Sequence, residues 1–314
     1  MKTPLLGQAY VARSVNAADN RLVNLFPEAV PAEGKEAGFL SRAPGLRLLN
    51  TVGTGPIRGL FSSTTPGGVC YIVSGDTVYS MTSLTDGSSP TTLGTISGSD
   101  MTSIAYNGTQ VMFVADPDGY IYNESTLAFG LITDPDWPGA STVSYVDGYF
   151  VFNEPSSQKI WVTALYDGTD INALEFASAE AAPDLVKSVF VDHKEVWIFG
   201  TSTVEVWYDS GNVDFPLQPI QGALIESGLA ATFSVAKLDN SLFWLSHDAR
   251  GQGQVYRAKG YGGVRISTHA IEYAIAQYGD ISDAEAFTYQ QEGHSFYVLT
   301  FPTVAKTWVF DVST

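Results

Sequence analysis

The stretch IAYNGTQVMFVADPDGYIYN, residues 104 to 123, contains three apolar runs separated by two polar turns. Runs rich in Val, Ile, Phe and Tyr favour β-strands. The pair Asn107-Gly108 suits a two-residue hairpin turn, because asparagine and glycine tolerate the positive φ that such turns require. The stretch therefore predicts a three-stranded antiparallel meander.

The same pattern occurs six times, at residues 60–81, 104–123, 143–165, 189–209, 235–258 and 286–310. Its first turns are Gly67-Gly68, Asn107-Gly108, Asp147-Gly148, His193-Lys194, Asp239-Asn240 and Glu292-Gly293. They begin 40, 40, 46, 46 and 53 residues apart, close to the roughly 40 to 50 residues of a propeller blade. A single three-stranded sheet cannot bury both of its faces, so the copies should pack around an axis with short polar strands between them. The sequence predicts an all-β, six-bladed β-propeller over residues 51–314, with five or seven blades as the alternatives.

Composition agrees with one large folded unit. The 314 residues are 45% hydrophobic and 16% charged, which is enough apolar material for a propeller core. No run of about 18 apolar residues indicates a membrane span, and MKTPLLGQAY lacks the apolar segment of a signal peptide. Cys70 is the one cysteine, so no disulfide forms within the chain, and its strand VCYIV predicts a buried structural thiol.

Charge is distributed unevenly. The net charge is −17, and no Lys or Arg occurs between Arg58 and Lys159. Binding to a phosphate backbone needs clustered Lys and Arg, so the first two blades are not predicted to grip nucleic acid. The alternatives are an ordinary soluble acidic surface or a surface that repels phosphate.

Residues 1–50 lack the repeat and carry a small positive charge. Spaced Pro and Gly surround the phrase RLVNLFPE at residues 21–28. A segment of this kind is predicted to be an extended, irregular arm that lies over the propeller or contacts a neighbouring subunit.

Several pieces of this arm together resemble a known family. They are Arg13-Ser14, the phrase at 21–28, Gly34-Lys35 and Pro44-Gly45-Leu46. Residues 9–49 are similar to the opening of the packaged-DNA stabilisation proteins of short-tailed bacteriophages, also called tail accessory or tail nozzle proteins. The resemblance continues to the closing KTWVFDVST at 306–314, where members of that family run on. The expectation is either a shorter relative or a truncated chain.

The resemblance implies a structural virion protein of the phage tail and no enzyme. Such a protein forms a ring of identical subunits, with six expected, below the portal and its adaptor. There it retains packaged DNA and conducts it during ejection. The implied partners are the portal-adaptor protein, a distal tail needle or tail fibre, and passing genomic DNA without specific binding. Assembly is expected in the cytoplasm of the bacterial host, with no membrane insertion.

Two sets of residues carry this hypothesis. The arm residues expected at a subunit or adaptor interface are Arg13, Arg21, Asn24, Phe26, Pro27, Arg42, Pro44, Gly45 and Arg47. The acidic residues expected to face the DNA channel are Asp76, Asp86 and Asp100, because acidic walls repel a duplex that must slide through.

A carbohydrate-binding or carbohydrate-cleaving propeller is the alternative function, and fold analogy alone supports it. The candidate carboxylate pairs, Asp116 with Asp118 and Asp134 with Asp136, lie in Asp-Pro-Asp segments typical of turns. The four histidines are too far apart in sequence for a zinc motif, and no cofactor is predicted. Asp116 to Gly119 resembles only the beginning of a calcium loop.

Two further features have plain structural interpretations. A basic concentration comprises Arg250, Arg257, Lys259 and Arg265. It is either a docking patch or a solvated loop of the fifth blade. The tryptophans of the repeats, Trp161, Trp197, Trp207, Trp244 and Trp308, are predicted to pack between blades.

Overall fold

The computed structural model describes residues 10–11, 19–20, 22–30, 38–63, 68–83, 88–180 and 182–313. Within them, six antiparallel sheets follow one another along the chain, and the strands of each sheet pair in sequence order. This arrangement is a six-bladed β-propeller, which confirms the fold and the blade number.

Two short sheets precede the blades. They are formed by β1 (Tyr10–Val11) with β2 (Asp19–Asn20), and by β3 (Leu25–Ala29) with β4 (Gly38–Arg42). The strands of each blade are given from inner to outer. Blade one comprises β5 (Ile57–Ser62), β6 (Cys70–Ser74), β7 (Thr77–Met81) and β8 (Thr91–Thr95). Blade two comprises β9 (Ser103–Tyr106), β10 (Gln110–Ala115), β11 (Asp118–Asn123) and β12 (Ala128–Leu131), and blade three comprises β13 (Val143–Val146), β14 (Tyr149–Asn153), β15 (Lys159–Ala164) and β16 (Asp167–Ser178).

The remaining blades include the described helices. Blade four comprises β17 (Val186–Asp192), β18 (Glu195–Gly200), β19 (Val204–Asp209) and β20 (Leu217–Ile225), and a 3-10 turn (Thr232–Ser234) leads to blade five. Blade five comprises β21 (Ala236–Leu238), β22 (Ser241–His247), β23 (Gly253–Lys259) and β24 (Gly262–Arg265). Helix α1 (His269–Ile275) leads to blade six, which comprises β25 (Glu285–Gln291), β26 (His294–Phe301) and β27 (Lys306–Asp311).

The first turn of most blades has the geometry that the sequence predicted. In blade four, His193 and Lys194 have φ of 50° and 65°. Both residues of the turn are also left-handed in blades three, five and six, at Asp147-Gly148, Asp239-Asn240 and Glu292-Gly293. Positive φ at both central residues matches the right-handed twist of the flanking strands. Gly67, in the predicted first turn of blade one, lies outside the described residues.

Each joint between consecutive blades from one to six contains a hydrophobic cluster. In β10, Val111 and Phe113 pack against blade one, whereas Met112 and Val114 pack against blade three. A strand buried on both faces reads as a continuous apolar run, which explains the sequence VMFVA. The second strand of each blade is therefore the part of the repeat that is easiest to recognise in the sequence.

The outer strands differ from the prediction in length and number. The sequence predicted short polar strands between the copies, but β16 has 12 residues and β20 has nine. Most of their side chains are exposed or half-buried, and each strand has an irregular register against its neighbour, so no clear alternation marks them. Blade six has three strands in the described part of the chain, whereas the other five blades have four.

The N-terminal segment lies outside the blades but is not uniformly irregular. Strands β3 and β4 form a hairpin with regular register from Leu25↔Arg42 to Ala29↔Gly38. Phe26 of this hairpin is buried against blade six, where its ring lies 4.6 Å from His294 and 5.4 Å from Phe296. The arm therefore contacts the propeller of its own chain.

Candidate functional site: two faces with different charge

Turns at the two ends of the strands form two faces of the propeller. Successive strands of a meander reverse direction, so the first turn of each blade lies at one end. The second turn and the link to the next blade lie at the other end. Hydrogen bonds between blades join turns at the same end: the Ser97 hydroxyl donates to Asp118 over 2.7 Å, and Lys194 donates to Asp147 over 2.7 Å. The two ends can therefore be compared as separate surfaces.

The face that carries the second turns is acidic in blades one to three. We call it the acidic face, and its members are Asp76, Asp100, Asp116, Asp118, Asp134, Asp136 and Glu154. All of them belong to the part of the sequence without Lys or Arg. Glu124 and Asp147 of the same stretch lie at the opposite end, so the stretch does not face one side only.

Arg58 is buried on this face, between blades one and two. Its guanidinium donates to three backbone carbonyls: Nε to Asp100 over 2.6 Å, Nη1 to Gly75 over 2.8 Å and Nη2 to Ser97 over 3.0 Å. Burial lowers the pKa of Arg58, and the nearby charges of Asp100 and Asp76 oppose that effect. Arg58 is only 3% exposed, so its positive charge lies inside the joint between blades one and two and not on the surface.

Two of the three predicted channel residues come together around Arg58. Asp76 follows Gly75 in the second turn of blade one, and Asp100 lies in the link to blade two. Both residues are exposed. Asp86 lies outside the described residues. Whether Asp76 and Asp100 line a DNA path stays a prediction.

The candidate catalytic carboxylates act as hydrogen-bond acceptors in turns and links. Asp116 accepts from the Ser141 hydroxyl over 2.7 Å, in the same way that Asp118 accepts from Ser97. Asp134 accepts from the backbone N–H of Asp136 over 2.9 Å, as expected of a turn residue. Asp136 accepts from the backbone N–H of Ala173 over 3.3 Å. The four carboxylates hold loops together at the joints of blades one to three.

An open groove of about 410 Å³ lies along the outer edges of blades two and three. Its polar lining includes Gln110, Asn123 and Asp167. Burial acts to raise the pKa of Asp167, but hydrogen bonds from Thr169 and Gln110 outweigh it and lower the pKa. A glycosidase needs a general acid with a raised pKa. Asp167 is held ionised, so it does not fit that role.

Neither a cluster of metal ligands nor a membrane-spanning helix occurs among the described residues. No three or more His, Cys, Asp or Glu side chains there are placed to share a metal ion. Helices among the described residues are too short or too polar to cross a membrane.

The opposite face also carries exposed acids, such as Asp214 and Glu292, but several of its acids pair with bases. We call it the paired face. Lys194 of blade four pairs with Asp147 of blade three at 2.7 Å, and Lys237 of blade five pairs with Asp192 at 2.5 Å. His193 lies 2.9 Å from Asp192 and 2.5 Å from the amide oxygen of Asn240. No sequence motif indicated that His193 pairs with Asn240 or Lys194 with Asp147, since the partners lie 47 residues apart. Only the repeat spacing could have indicated them.

The basic concentration at residues 250–265 does not form one patch. Arg257 pairs with Asp239 at 2.8 Å. Arg265 binds the buried carboxylate of Glu272 in α1, and this hydrogen bond raises the pKa of Arg265. Arg250 lies in the second turn of blade five, at the opposite end of β23 from Lys259. Three of the four residues lie in strands, Arg257 and Lys259 in β23 and Arg265 in β24, so neither a docking patch nor a solvated loop describes the set.

The predicted arm residues occupy three kinds of position. Arg13 and Arg21 lie outside the described residues. Asn24 begins the hairpin with φ of 54°, and Phe26 and Pro27 lie in β3. Arg42, Pro44, Gly45 and Arg47 are exposed. Phe26 thus has a partner within its own chain, and the intermolecular role of the set stays a prediction.

Comparison with known proteins gives the family. A search of curated proteins found no match. Among solved structures, the designed protein Ika8 is 14% identical over 83% of this chain and 72% of its own, with a TM-score of 0.48. The N-terminal domain of Nup159 is 10% identical over 78% of this chain and 71% of its own, with a TM-score of 0.47. PorZ of the Porphyromonas gingivalis type-IX secretion system is 13% identical, with a TM-score of 0.45, and covers 80% of this chain, which spans only 32% of PorZ. The phage stabilisation family, described as bacteriophage P22 Gp10, β-propeller, matches residues 1–314. The chain therefore belongs to this phage β-propeller family.

Proposed function

We propose that this protein is a structural subunit of a phage tail that assembles into a ring, retains packaged DNA and conducts it during ejection. The observation that carries the proposal is the family match over the entire chain, residues 1–314. The proposal includes no catalytic step, because the candidate carboxylates are engaged in turns and links.

The charge of the two faces supports a division of labour between them. On the acidic face, exposed Asp76 and Asp100 surround a buried arginine. A surface of this kind repels a duplex and releases no counterions from it. On the paired face, Lys194, Lys237 and Arg257 are held by carboxylates of the same chain. In this proposal the acidic face lies along the DNA path, and the virion is where the protein acts.

The test reverses charge on each face in turn. The variant with Asp76→Lys and Asp100→Lys adds positive charge to the acidic face. The matched control, with Asp214→Lys and Glu292→Lys, makes the same change in charge at exposed positions at the other end of the strands. Both proteins are first checked for folding by circular dichroism. Each is then incorporated into particles, and the rate of DNA release is measured at several salt concentrations.

We expect the acidic-face variant to release DNA more slowly, with an effect that weakens as salt increases, because new phosphate contacts are salt-dependent. The control should release DNA at the wild-type rate. Equal rates for both folded variants would contradict the placement of the acidic face along the path. Particles that retain DNA normally without this protein would contradict the retention role itself.

A further inference from the structure

The joint between blade six and blade one, here called the seam, is built differently from the other joints. Tyr297 and Leu299 of β26 pack against blade five, so their neighbours Phe296 and Val298 face the seam. On the other side, Tyr71 and Val73 of β6 pack against blade two, so Cys70 and Ile72 face the seam. In a fully closed propeller these two faces would pack against each other.

Among the described residues, the two faces of the seam belong to separate clusters. Phe296 and Val298 pack with Phe26 of the N-terminal hairpin. Cys70 and Ile72 pack with Val52 and Met81. Each of the five other joints has one cluster that includes side chains of both blades. Phe26 of the N-terminal hairpin therefore covers the blade-six face, and Val52, which precedes β5, packs on the blade-one face. At the other joints a neighbouring blade covers the corresponding face.

The seam also leaves apolar surface uncovered. Leu60 pairs across the sheet with Ile72, and its side chain is 69% exposed. Phe287 and Val309 flank Val298 and are 57% and 54% exposed. At the joint between blades one and two, the corresponding Phe61 and Ile104 are partly buried in the shared cluster. Exposed apolar side chains on β5 at one side and on β25 and β27 at the other are typical of a surface that contacts a partner.

The hairpin that covers the seam has few contacts with the blades. Among its described side chains, Phe26 alone is buried. The hydrogen bond from Ala43 N–H to the Asn24 carbonyl, 2.9 Å long, closes the hairpin on itself. The following residues, 44–49, are exposed, and Leu46 and Leu48 are 103% and 77% exposed. A folded hairpin on an exposed linker is the arrangement from which domain swapping arises.

We propose that, in the assembled protein, the seam is a docking site for the β3–β4 hairpin of a second copy of this chain, which replaces the chain's own hairpin. The exchange needs no new kind of contact, because an identical Phe26 meets the same Phe296 and Val298. Neighbouring subunits also offer cover for Leu46, Leu48, Leu60 and Phe287, which a single chain leaves exposed. Each subunit would give one hairpin and receive one, and such head-to-tail contacts generate rings when the rotation closes.

This inference rests on the proposed function as a ring, and a crosslinking experiment tests it directly. A photoreactive benzoyl-phenylalanine replaces Phe26, and the assembled full-length protein is irradiated. We expect crosslinks between chains, seen as dimers and larger species on a denaturing gel. The control places the same group at Phe152, which is buried at the joint between blades two and three, and should crosslink only within the chain. Crosslinks confined to single chains at position 26 would overturn the proposal.

A mixing experiment provides independent evidence. The variant Phe26→Asp keeps an intact seam but loses a functional hairpin, and Val298→Asp keeps the hairpin but damages the seam. Each variant alone should be monomeric by size-exclusion chromatography with light scattering. An equimolar mixture should form a heterodimer, because the intact hairpin of one chain docks on the intact seam of the other. Leu127→Asp, at an exposed position of blade two, adds the same charge but keeps the hairpin and the seam, so it should associate as the wild type does.

A mixture that stays monomeric while both variants are folded by circular dichroism would overturn the proposal. If Val298→Asp unfolds, deletion of residues 46–49 from the otherwise unchanged chain provides a separate test. A hairpin on a shortened linker reaches a neighbouring subunit more readily than its own blade, so the deletion should favour exchange. A chain with this deletion that remains a stable monomer would also contradict the exchange. These measurements use purified protein without DNA, so their outcome is independent of the DNA-release test.

Discussion

The joint between blades two and three and the seam between blades six and one solve the same packing problem in different ways. At the first joint, Met112, Val114, Phe150 and Phe152 share one cluster. Polar contacts reinforce it, since the Gln110 amide oxygen accepts from Gly168 over 2.7 Å and Ser103 accepts from Val143 over 3.0 Å. At the seam, the hydrophobic clusters include Phe26 and Val52, which lie outside the repeats, and Phe26 also contacts the His294 ring.

This difference shows what a repeat can and cannot supply. Each internal blade provides two apolar faces that fit its neighbours, so five joints follow from one pattern. The first and last blades each have one face left over, and the chain covers them with a segment that has no counterpart in the repeat. A substitution at a joint should therefore lower the free energy of unfolding by more than a comparable substitution at the seam.

Removal of one phenylalanine from each region should give the largest contrast. Phe150 is fully buried at the joint between blades two and three, whereas Phe287 is 57% exposed at the seam. We expect Phe150→Ala to lower the free energy of unfolding by about 3 to 5 kcal/mol, because it loses burial and leaves a cavity. Phe287→Ala should lower it by less than about 1 kcal/mol. Urea denaturation of the two purified variants measures both values.

Equal losses for the two variants would mean that the seam is packed as tightly as the joint. The monomeric protein is required for this measurement, since a neighbouring subunit that covers Phe287 would increase its contribution. Comparison at low and high protein concentration checks for that effect.

Removal of the buried arginine should have the next largest effect. Arg58→Met keeps an unbranched side chain but leaves the carbonyls of Gly75, Ser97 and Asp100 without their donor. An unsatisfied buried acceptor costs about 1 to 3 kcal/mol. These three hydrogen bonds are only partly buried, so we expect about 1 kcal/mol for each and a loss of about 3 kcal/mol in total. Arg58→Lys should restore only part of this, because an ammonium group lacks the planar fork that reaches all three carbonyls. A loss below about 1 kcal/mol for Arg58→Met, measured by urea denaturation, would argue against the role of Arg58 in this joint.

The sequence predicted the joints well and the seam poorly, for a physical reason. Strands such as β10 are buried on both faces, so their apolar runs and the turns beside them stand out. Phe26 belongs to the phrase RLVNLFPE, whose apolar residues show no regular alternation, so the phrase indicates neither a strand nor its partner. Its contact with Phe296 spans most of the chain and follows no repeat.

The candidate site shows the same limit. Turn chemistry indicated correctly that Asp134 accepts from its own backbone. Sequence spacing could not indicate that Asp76 and Asp100 meet around Arg58, because that contact joins a turn, an inner strand and a link. The charge count gave an acidic stretch, whereas the direction of the strands divided it between two faces.

A glycine substitution should test the close packing of a joint with a smaller change. A Cβ atom added to Gly94 of β8 would lie 2.2 Å from the ring of Phe129 in blade two. We expect Gly94→Ala to cost about 1 to 3 kcal/mol, since the ring must move within a packed cluster. The matched control is Gly130→Ala in β12, also an outer strand, where no atom lies within 4 Å of the added Cβ. Its effect should stay within about 0.5 kcal/mol. Thermal melts of both variants give the comparison, and similar shifts would show that the joint yields easily.

The smallest effect concerns a titratable group that faces the seam. Glu285 lies on the same side of β25 as Phe287 and Tyr289. Burial raises the pKa of Glu285 above its ordinary value of 4.5, and the charge of Asp283 raises it further. The folded protein therefore holds this proton to a higher pH than the unfolded chain does. Stability from this group is fully present below about pH 4 and decreases as the pH rises through the folded pKa.

Glu285→Gln removes the titration, so the variant should be more stable than the wild type near neutral pH and nearly equal to it in acid. Urea midpoints of both proteins at about pH 4 and pH 7 measure the difference. Glu292→Gln, at the exposed turn after the same strand, controls for the loss of one negative charge. If a second subunit covers the seam, burial of Glu285 increases and the pH dependence should become steeper in the assembled protein. An identical pH dependence for wild type and Glu285→Gln would mean that water reaches this carboxylate freely, and that the seam is open along its inner strand.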